Sequence, residues 1–461
     1  MPLQYFLYAW PTSTQYKSLQ YVRLLSHHHH HSHSFLSHHL LQLLLELLIQ
    51  LLLELRNQLL LELLIHLLIH LLRMRTSIIL FASCVLAATP FLDEPDTGID
   101  EQLGAFVANK TLPPVKSLVG LPDFQWVGRN YMNTTSFAYY RNGAAGEWSY
   151  RNNLEIFQRF RLRPRFLADI TNVPNTMATT ILGHNFSAPI FISPCARGGY
   201  ANPEGEVGLA KGAGEAGILY MPSLYSSIPM KDIYAARATQ DQVLFQQIYL
   251  SGNITQTKGL FDQAKSLGAK GLVLTIDSAG DAIRHRAARF GVGSANTKLT
   301  KITWDLFNQL QNMTDLPIIP KGIQTVEDAQ EAVKNGVKAI FLSNHGGRQI
   351  DGSPSTLQVA MEIHQRDPGL FKQVEVYADG GVRYGTDVLK LLSLGVRAVG
   401  VGRSFMFANI YGAEGVKRAA DLLKTELVMD AANMGVADLK NVSPDLIDWK
   451  AASPWVGNDQ M

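Results

Sequence analysis

The chain has 461 residues, 46% of them hydrophobic and 17% charged, enough apolar material for one large domain or two ordinary ones. Its formal charge of +2, with no long basic stretch in the later sequence, argues against nucleic acid or an anionic membrane surface as a partner. Of its two cysteines, Cys84 falls in an apolar leader run and Cys195 is alone in the body, which excludes an intrachain disulfide there.

Residues 1–73 differ sharply in composition from the rest of the chain. A His-rich tract (His27 to His31, His33, His38 and His39) passes into a Leu-rich array. Leu43 to Gln50, Leu51 to Gln58 and Leu59 to His66 are near-copies of one unit, with Glu46, Glu54 and Glu62 in register. That period matches neither a coiled-coil heptad nor a single helix face. The histidines suit metal ions, but low-complexity sequence of this kind reads first as disorder or as a mis-set translation start. The repeated glutamates make a simple membrane span costly.

A cleaner beginning is Met74. Met74-Arg75 precedes an apolar run from Ile78 to Leu86 and the small residues Ala87 and Ala88, so residues 74–90 have the layout of a secretory signal peptide. A start at Met74 predicts the secretory route, and without it the expectation is cytoplasmic. The acceptor pattern for N-glycosylation occurs at Asn109, Asn133, Asn185, Asn253, Asn312 and Asn441, which favours the secretory reading. The final Asn-Asp-Gln-Met gives no support to a peroxisomal address.

The body is expected over residues 105–455. Thr135 to Asn185 reads as a segment that leads into a barrel, and Arg161, Arg163 and Arg165 alternate there as a solvated or paired strand face. From about 187 to 425, apolar runs alternate with helical periodicity, as repeated βα units on a parallel sheet require. Eight strands are predicted, near Pro189–Ser193, Ile218–Pro222, Val243–Tyr249, Gly271–Asp277, Pro317–Pro320, Ala339–Ser343, Glu375–Asp379 and Ala398–Val401. Gly217, Gly268, Gly336 and Gly395 stand just before strands, where helix C-caps need them. The predicted fold is therefore α/β, a (β/α)8 TIM barrel with an N-terminal helical segment, whose chemistry gathers at the strands' carboxyl ends.

The most specific string, Ser343-Asn344-His345-Gly346-Gly347-Arg348-Gln349-Ile350-Asp351, comes directly after the sixth strand. An imidazole able to move a proton near neutral pH stands three residues before a guanidinium that can hold a carboxylate through two parallel bonds. That pairing suits oxidation of an anionic hydroxy acid. Asp379-Gly380-Gly381-Val382-Arg383 comes after the seventh strand and Gly400-Val401-Gly402-Arg403 after the eighth, the two loops where barrels commonly bind phosphate. Lys321, at the end of the predicted fifth strand, places an ammonium at the mouth, where it would stabilise negative charge on a reduced flavin.

Together with Tyr139-Tyr140, Pro194-Cys195-Ala196, Gln247-Ile248-Tyr249 and Thr275-Ile276-Asp277, these strings resemble the FMN-dependent α-hydroxy-acid oxidases and dehydrogenases from about Thr135 to Trp449. The family includes glycolate oxidase, lactate oxidase and the flavocytochrome lactate dehydrogenases. The resemblance implies FMN as cofactor, an (S)-2-hydroxy acid as substrate, a 2-oxo acid as product, and oxygen or another electron acceptor. It also implies a homo-oligomer. By it, His345 is the base, Asp277 stabilises the imidazolium, Tyr249 meets the reacting hydroxyl and Lys321 serves the flavin. Arg348 and Tyr139 hold the carboxylate with Arg284, or with Arg286 if the loop alignment slips by two. Cofactor contacts are implied for Pro194, Ala196, Ser223, Gln247, Thr275, Lys321, Ser343, Asp379, Gly381, Arg383, Gly402 and Arg403, with no metal.

Some positions depart from the family pattern. Cys195 replaces a frequent Thr, Leu224 stands where a hydroxyl residue is common, and Tyr225 where a large aromatic lines the pocket. Ser278-Ala279-Gly280-Asp281-Ala282 lacks the usual Pro-Arg, and the loop from Phe290 to Thr303 is short. These changes bear on substrate size and admit a bulkier hydroxy acid. The chain lacks the His-Pro-Gly-Gly string of a haem domain. An FMN-dependent isomerase and a non-catalytic flavin-binding barrel remain the alternatives.

Overall fold

The structure is a computed structural model that describes residues 40–49, 97–294 and 299–452. The chain divides into two units, residues 1–87 and 88–461. In the first, residues 40–49 form a helix whose leucines, apart from the half-buried Leu48, are exposed. The His tract, the remainder of the Leu array and the signal-peptide reading lie outside the described residues. No helix among the described residues is long and apolar enough to cross a membrane.

The second unit opens with four helices, α1 (Ile99–Ala108), α2 (Leu121–Tyr131), α3 (Thr134–Arg141) and α4 (Trp148–Arg159). Their starts obey local chemistry. The Asp123 carboxylate accepts from the Val119 and Gly120 N–H groups ahead of α2, and Asn133 caps α3 by accepting from Ser136 N at 2.8 Å. Arg161–Leu162 then pairs antiparallel with Ile447–Asp448; Arg161, Arg163 and Arg165 are exposed as expected, but only Arg161 lies in the strand, and the exposed Pro164 breaks the alternation.

Eight parallel strands come next: β1 (Ile190–Ile192), β2 (Leu219–Tyr220), β3 (Phe245–Ile248), β4 (Gly271–Thr275), β5 (Ile318–Ile323), β6 (Ala339–Leu342), β7 (Glu375–Asp379) and β8 (Ala398–Val401). They are bonded in the order β2-β1-β8-β7-β6-β5-β4-β3, and a parallel bridge between Tyr220 and Leu244 joins the two ends into a barrel. Period-two alternation sorts the side chains. Phe191, Leu219, Phe245, Val273, Ile319, Phe341 and Tyr377 fill the interior, while their neighbours Ile190, Ile192, Ile248, Leu272, Leu274, Ile340 and Val376 pack outward beneath the helices. Ile181 and Phe186, from a hairpin preceding β1, join the inner cluster. Gly217, Gly268, Gly336 and Gly395 all have φ between 66° and 103°, the left-handed C-cap conformation their positions predicted.

Each predicted strand is present, several shorter than predicted by one to three residues, and the end of the fifth needs a larger correction. The fifth was expected to stop at Pro320, with Lys321 at its terminus, whereas β5 continues to Ile323. A register shift between Lys321 and Ile323, with Gly322 at φ 122°, carries the strand past the proline. Lys321 is consequently buried inside the barrel wall.

The loops after β1 and β2 are tied by Glu206, a wholly buried carboxylate in the first turn of the helix Glu206–Glu215. It accepts from Gly198 N at 2.6 Å, Ser227 N at 3.0 Å and Ile228 N at 3.2 Å. Glu206→Ala would leave these donors without an acceptor and is expected to cost about 3 kcal/mol in urea unfolding. A loss below about 1 kcal/mol would mean that water replaces the carboxylate.

Candidate active site

Two adjoining cavities at the carboxyl ends of the strands share Pro194, His345 and Arg348. The inner one is lined also by Ser193, Cys195, Lys321, Asp379, Gly381, Arg383, Gly402 and Arg403. The outer one is lined by Tyr139, Ala196, Ser223, Tyr249, Ser278, Arg284 and Ser294. A larger cavity of about 400 Å³ opens at the other end of the barrel beside Lys338, Glu375 and Arg397. It lies at the amino ends of β6, β7 and β8 and holds none of the residues above, so size is a poor guide here and the barrel's geometry the better one.

His345 sits just after β6 in the left-handed conformation, φ 59°, uncommon for a residue with a Cβ. Its backbone N–H donates to Ser343 Oγ at 3.1 Å, and Nδ1 lies 2.9 Å from Asp277 Oδ1. Gly322 makes room for this carboxylate, since a Cβ there would stand 2.5 Å from that of Asp277. Burial, opposed by Asp277, lowers the His345 pKa to about 4, so the ring is neutral at pH 7. Burial alone would raise the Asp277 pKa, but His345, Lys321 and Arg348 outweigh it and keep the carboxylate ionised. A neutral ring donating from Nδ1 leaves Nε2 free to accept, 3.5 Å from the Tyr249 hydroxyl. Burial raises the Tyr249 pKa, which keeps that phenol protonated.

Arg348 donates through Nε to the His345 carbonyl at 3.1 Å, which directs the rest of its guanidinium away from that bond. Arg284 donates to the Arg348 carbonyl at 2.8 Å and to Gln349 Oε1 at 2.7 Å. Burial and the neighbouring Arg348 lower its pKa to about 10. Tyr139 comes from α3, and Arg197 lies over its ring, 4.8 Å from the centroid. Arg286 points elsewhere, with Nε and an Nη each 2.8 Å from the Glu147 carboxylate. Of the two arginines weighed from the sequence, Arg284 is the one in the cavity. Tyr225 stacks on Tyr249 at 5.0 Å rather than lining the outer cavity, and the Leu224 N–H donates to Gln247.

The residues that line the inner cavity suit a flavin nucleotide. At one end the backbone N–H groups of Gly381 and Gly402 have no acceptor among the described residues, and a Cβ on Gly402 would sit 3.1 Å from Cys195 Sγ. Such N–H groups beside Arg383 suit a phosphate. Toward the ring end, Lys321 Nζ donates to Ser343 Oγ at 2.8 Å, and Ser343 donates to Asp379 at 2.7 Å. Gln247 is oriented by Thr275 and Ser223, at 2.9 and 3.1 Å. The Ser193 hydroxyl, buried and lining the cavity, has no partner among the described residues. Arg403 is more committed than its motif suggested. It donates to the carbonyls of Tyr140, Asn142 and Gly346, and burial lowers its pKa to about 9.

Several contributors were missed in the sequence. Asn153 and Asn344 exchange side-chain bonds of 2.8 Å in both directions, holding α4 against the His345 loop. A Cβ on Gly381 would meet the Asn153 carbonyl at 1.9 Å. Arg197, Ser193 and Glu147 were also not singled out, and Gln349 stood in the most specific string without a role of its own.

The sequence matches the family model described as FMN-dependent dehydrogenase over residues 128–300 and 293–449. It is 33% identical over 383 residues to the L-lactate dehydrogenase (cytochrome) of Saccharomyces cerevisiae, covering 76% of this chain and 64% of that relative. The chain thus spans less than two thirds of the yeast protein's length. It is 37% identical over 355 residues to the 2-hydroxyacid oxidase 2 of Rattus norvegicus, covering 72% of this chain and 99% of the relative. Among solved structures, a flavocytochrome b2 mutant with benzoylformate superposes with a TM-score of 0.72 at 31% identity, covering 79% of this chain and 95% of the other. Mandelate oxidase with (S)-2-phenylpropionate gives 0.64 at 31% identity, covering 70% and 96%. With the family match and these identities on a barrel that fits a flavin, the chain belongs to the FMN-dependent dehydrogenases, with FMN as its cofactor.

Proposed function

We propose that this chain oxidises an (S)-2-hydroxy acid to the 2-oxo acid and passes the electrons to oxygen, giving hydrogen peroxide, or to another acceptor. One observation carries the reading: a buried, neutral imidazole backed by a carboxylate shares a small cavity with two arginines and two tyrosines. FMN, when bound, supplies the two-electron acceptor for the hydrogen on the substrate's C2. Arg348, Arg284 and Tyr139 hold the carboxylate and so fix C2 in place. His345 Nε2 takes up the proton that the substrate releases, and Asp277 stabilises the imidazolium. The Tyr249 hydroxyl meets the substrate oxygen, while Lys321 keeps a positive charge where negative charge develops.

We further propose that the protein takes the secretory route and carries N-linked glycans. All six acceptor asparagines are exposed. Asn133 and Asn253 cap helices through their side-chain oxygens, which leaves the nitrogen available for attachment. Secreted from a eukaryotic host from Met74, the protein is expected to lose mass on treatment with peptide N-glycosidase F. An unchanged mass would sink this reading without touching the enzymatic one.

The enzymatic reading is tested by anaerobic titration with L-lactate, glycolate, mandelate and longer 2-hydroxy acids. The flavin absorbance is expected to bleach, and His345→Ala to slow bleaching by about 10³-fold. Bound flavin that none of these acids reduces would favour the isomerase or the non-catalytic barrel. Because the His345 pKa is lowered to about 4, kcat/KM should stay flat as the pH falls from 7 to 5 and decline only near 4. Free imidazole would lose its basic form near about 6.5. An acid limb at that value would mean that His345 is not the buried base. Asp277→Asn removes the charge that supports the imidazolium and should cut flavin reduction by about 10²-fold or more.

A further inference from the structure

Glu147 has no assigned role, yet it occupies a junction. It caps α4 in the left-handed conformation, φ 62°, and its side chain is 9% exposed. Its carboxylate accepts from Gly143 N at 3.0 Å and from both Nε and Nη of Arg286 at 2.8 Å, with Arg141 at 3.4 Å. Arg286 belongs to the short helix His285–Arg289, whose N-cap is Arg284. Arg141 is the last residue of α3, the helix that carries Tyr139. The bidentate pair therefore clamps the end of the tyrosine's helix to the start of the arginine's.

The backbone around the pair extends the clamp. Ala145 N donates to the Ile283 carbonyl and Ala144 N to the Gly347 carbonyl, both at 2.8 Å. Glu147 N donates to Ala144 at 2.7 Å, so the turn that holds the carboxylate also makes both of these links. Arg284 in turn donates to the Arg348 carbonyl. One five-residue turn thus sets the mutual spacing of three segments, those bearing Tyr139, Arg284 and Arg348. An ordinary exposed pair does little for stability. This one is bidentate, with its carboxylate end buried, and it acts on segments that converge on one cavity.

We propose that Glu147 and Arg286 are positioning residues for the substrate carboxylate. They hold Arg284 and Tyr139 at the separation a carboxylate requires without touching the substrate themselves. This rests on the reading that Arg284, Arg348 and Tyr139 bind that carboxylate. It predicts a larger effect on anion affinity than on the redox step, because the bonds that join His345 to Asp277 and Lys321 to Ser343 do not include the pair.

The test uses the FMN-loaded full chain and two probes. Oxalate, a dicarboxylate with no C2 hydrogen to lose, reports carboxylate binding through the change in oxidised-flavin absorbance expected when it binds beside the ring, and L-lactate reports anaerobic reduction. Glu147→Gln and Arg286→Met are each expected to raise the oxalate Kd and the half-saturating lactate concentration about tenfold. The limiting rate of flavin reduction should change less than about threefold, with FMN content and Tm unchanged. Arg286→Lys, which keeps the charge and loses the fork, should fall between wild type and Arg286→Met. Exchanging the two charges in one double variant should recover part of the affinity.

Unchanged oxalate affinity in the single variants overturns the proposal. So does a joint collapse of affinity, FMN content and Tm, which would make the pair a piece of general scaffolding. Wild-type protein whose flavin does not respond to oxalate removes the carboxylate site, and the pair's role with it. If the wild type binds oxalate, the variants weaken that binding and no hydroxy acid reduces the flavin, the positioning role stands while the proposed oxidation fails.

Discussion

The contact between His345 and Asp277 is the constraint around which the mouth of this barrel is arranged. A neutral imidazole 2.9 Å from a buried carboxylate needs both groups out of water, and the segment that presents the histidine adopts an uncommon backbone to bring it there. His345, Gly346 and Gly347 all have φ near 60° to 75°. A side chain on Gly347 would strike the Tyr150 backbone at 2.5 Å, so α4 packs directly against the loop that presents the histidine. Across the site, β5 keeps its glycine at 322 because Asp277 fills that space. The strain is sustained because strands and helices on both sides determine the same geometry.

Charge is distributed by the same logic. Lys321, Arg284, Arg348 and Arg403 cluster at one end of the barrel, where the described carboxylates close to them are Asp277, Asp379 and the exposed Asp281. Burying cations in excess of anions costs stability unless something else answers them. Arg403 is answered by three carbonyls, and Lys321 by Ser343 and Asp379. Arg284 and Arg348 are answered only in part, by one carbonyl each and by Gln349. Depressed pKa values at Arg284 and Arg403 are the electrostatic signature of this arrangement. The residual positive field is what a site for an anionic substrate and a phosphorylated cofactor requires.

The barrel was legible because its information is local. Period-two alternation in runs such as Ala339–Leu342 and glycines such as Gly336 at helix ends need no partner to be recognised. The His345, Arg348 and glycine string was legible for a related reason, since proton transfer and carboxylate binding demand particular residue types at short spacing. Lys321 was found but misplaced, because Pro320 signals a strand end and only the pairing of β5 with β4 and β6 carries the strand beyond it. Glu206 and Glu147 passed unnoticed. Each is a single carboxylate in an unremarkable stretch, and each matters only because distant backbone N–H groups or a distant guanidinium arrive at it.

The choice between Arg284 and Arg286 marks where sequence ends. Two arginines separated by one residue are equivalent by type and nearly so by position, and no local rule distinguishes them. The repeating βα units, the caps, the flavin-binding strings and the chemical types that face the cavity are all written in the order of residues, because each arises from periodicity or from the identity of neighbours. Folding alone selects which arginine enters the cavity, which atoms of Arg403 are already used, and how Tyr139 is spaced from Arg284. Those outcomes depend on segments more than a hundred residues apart meeting at one turn, and such separations leave no periodic trace in the chain.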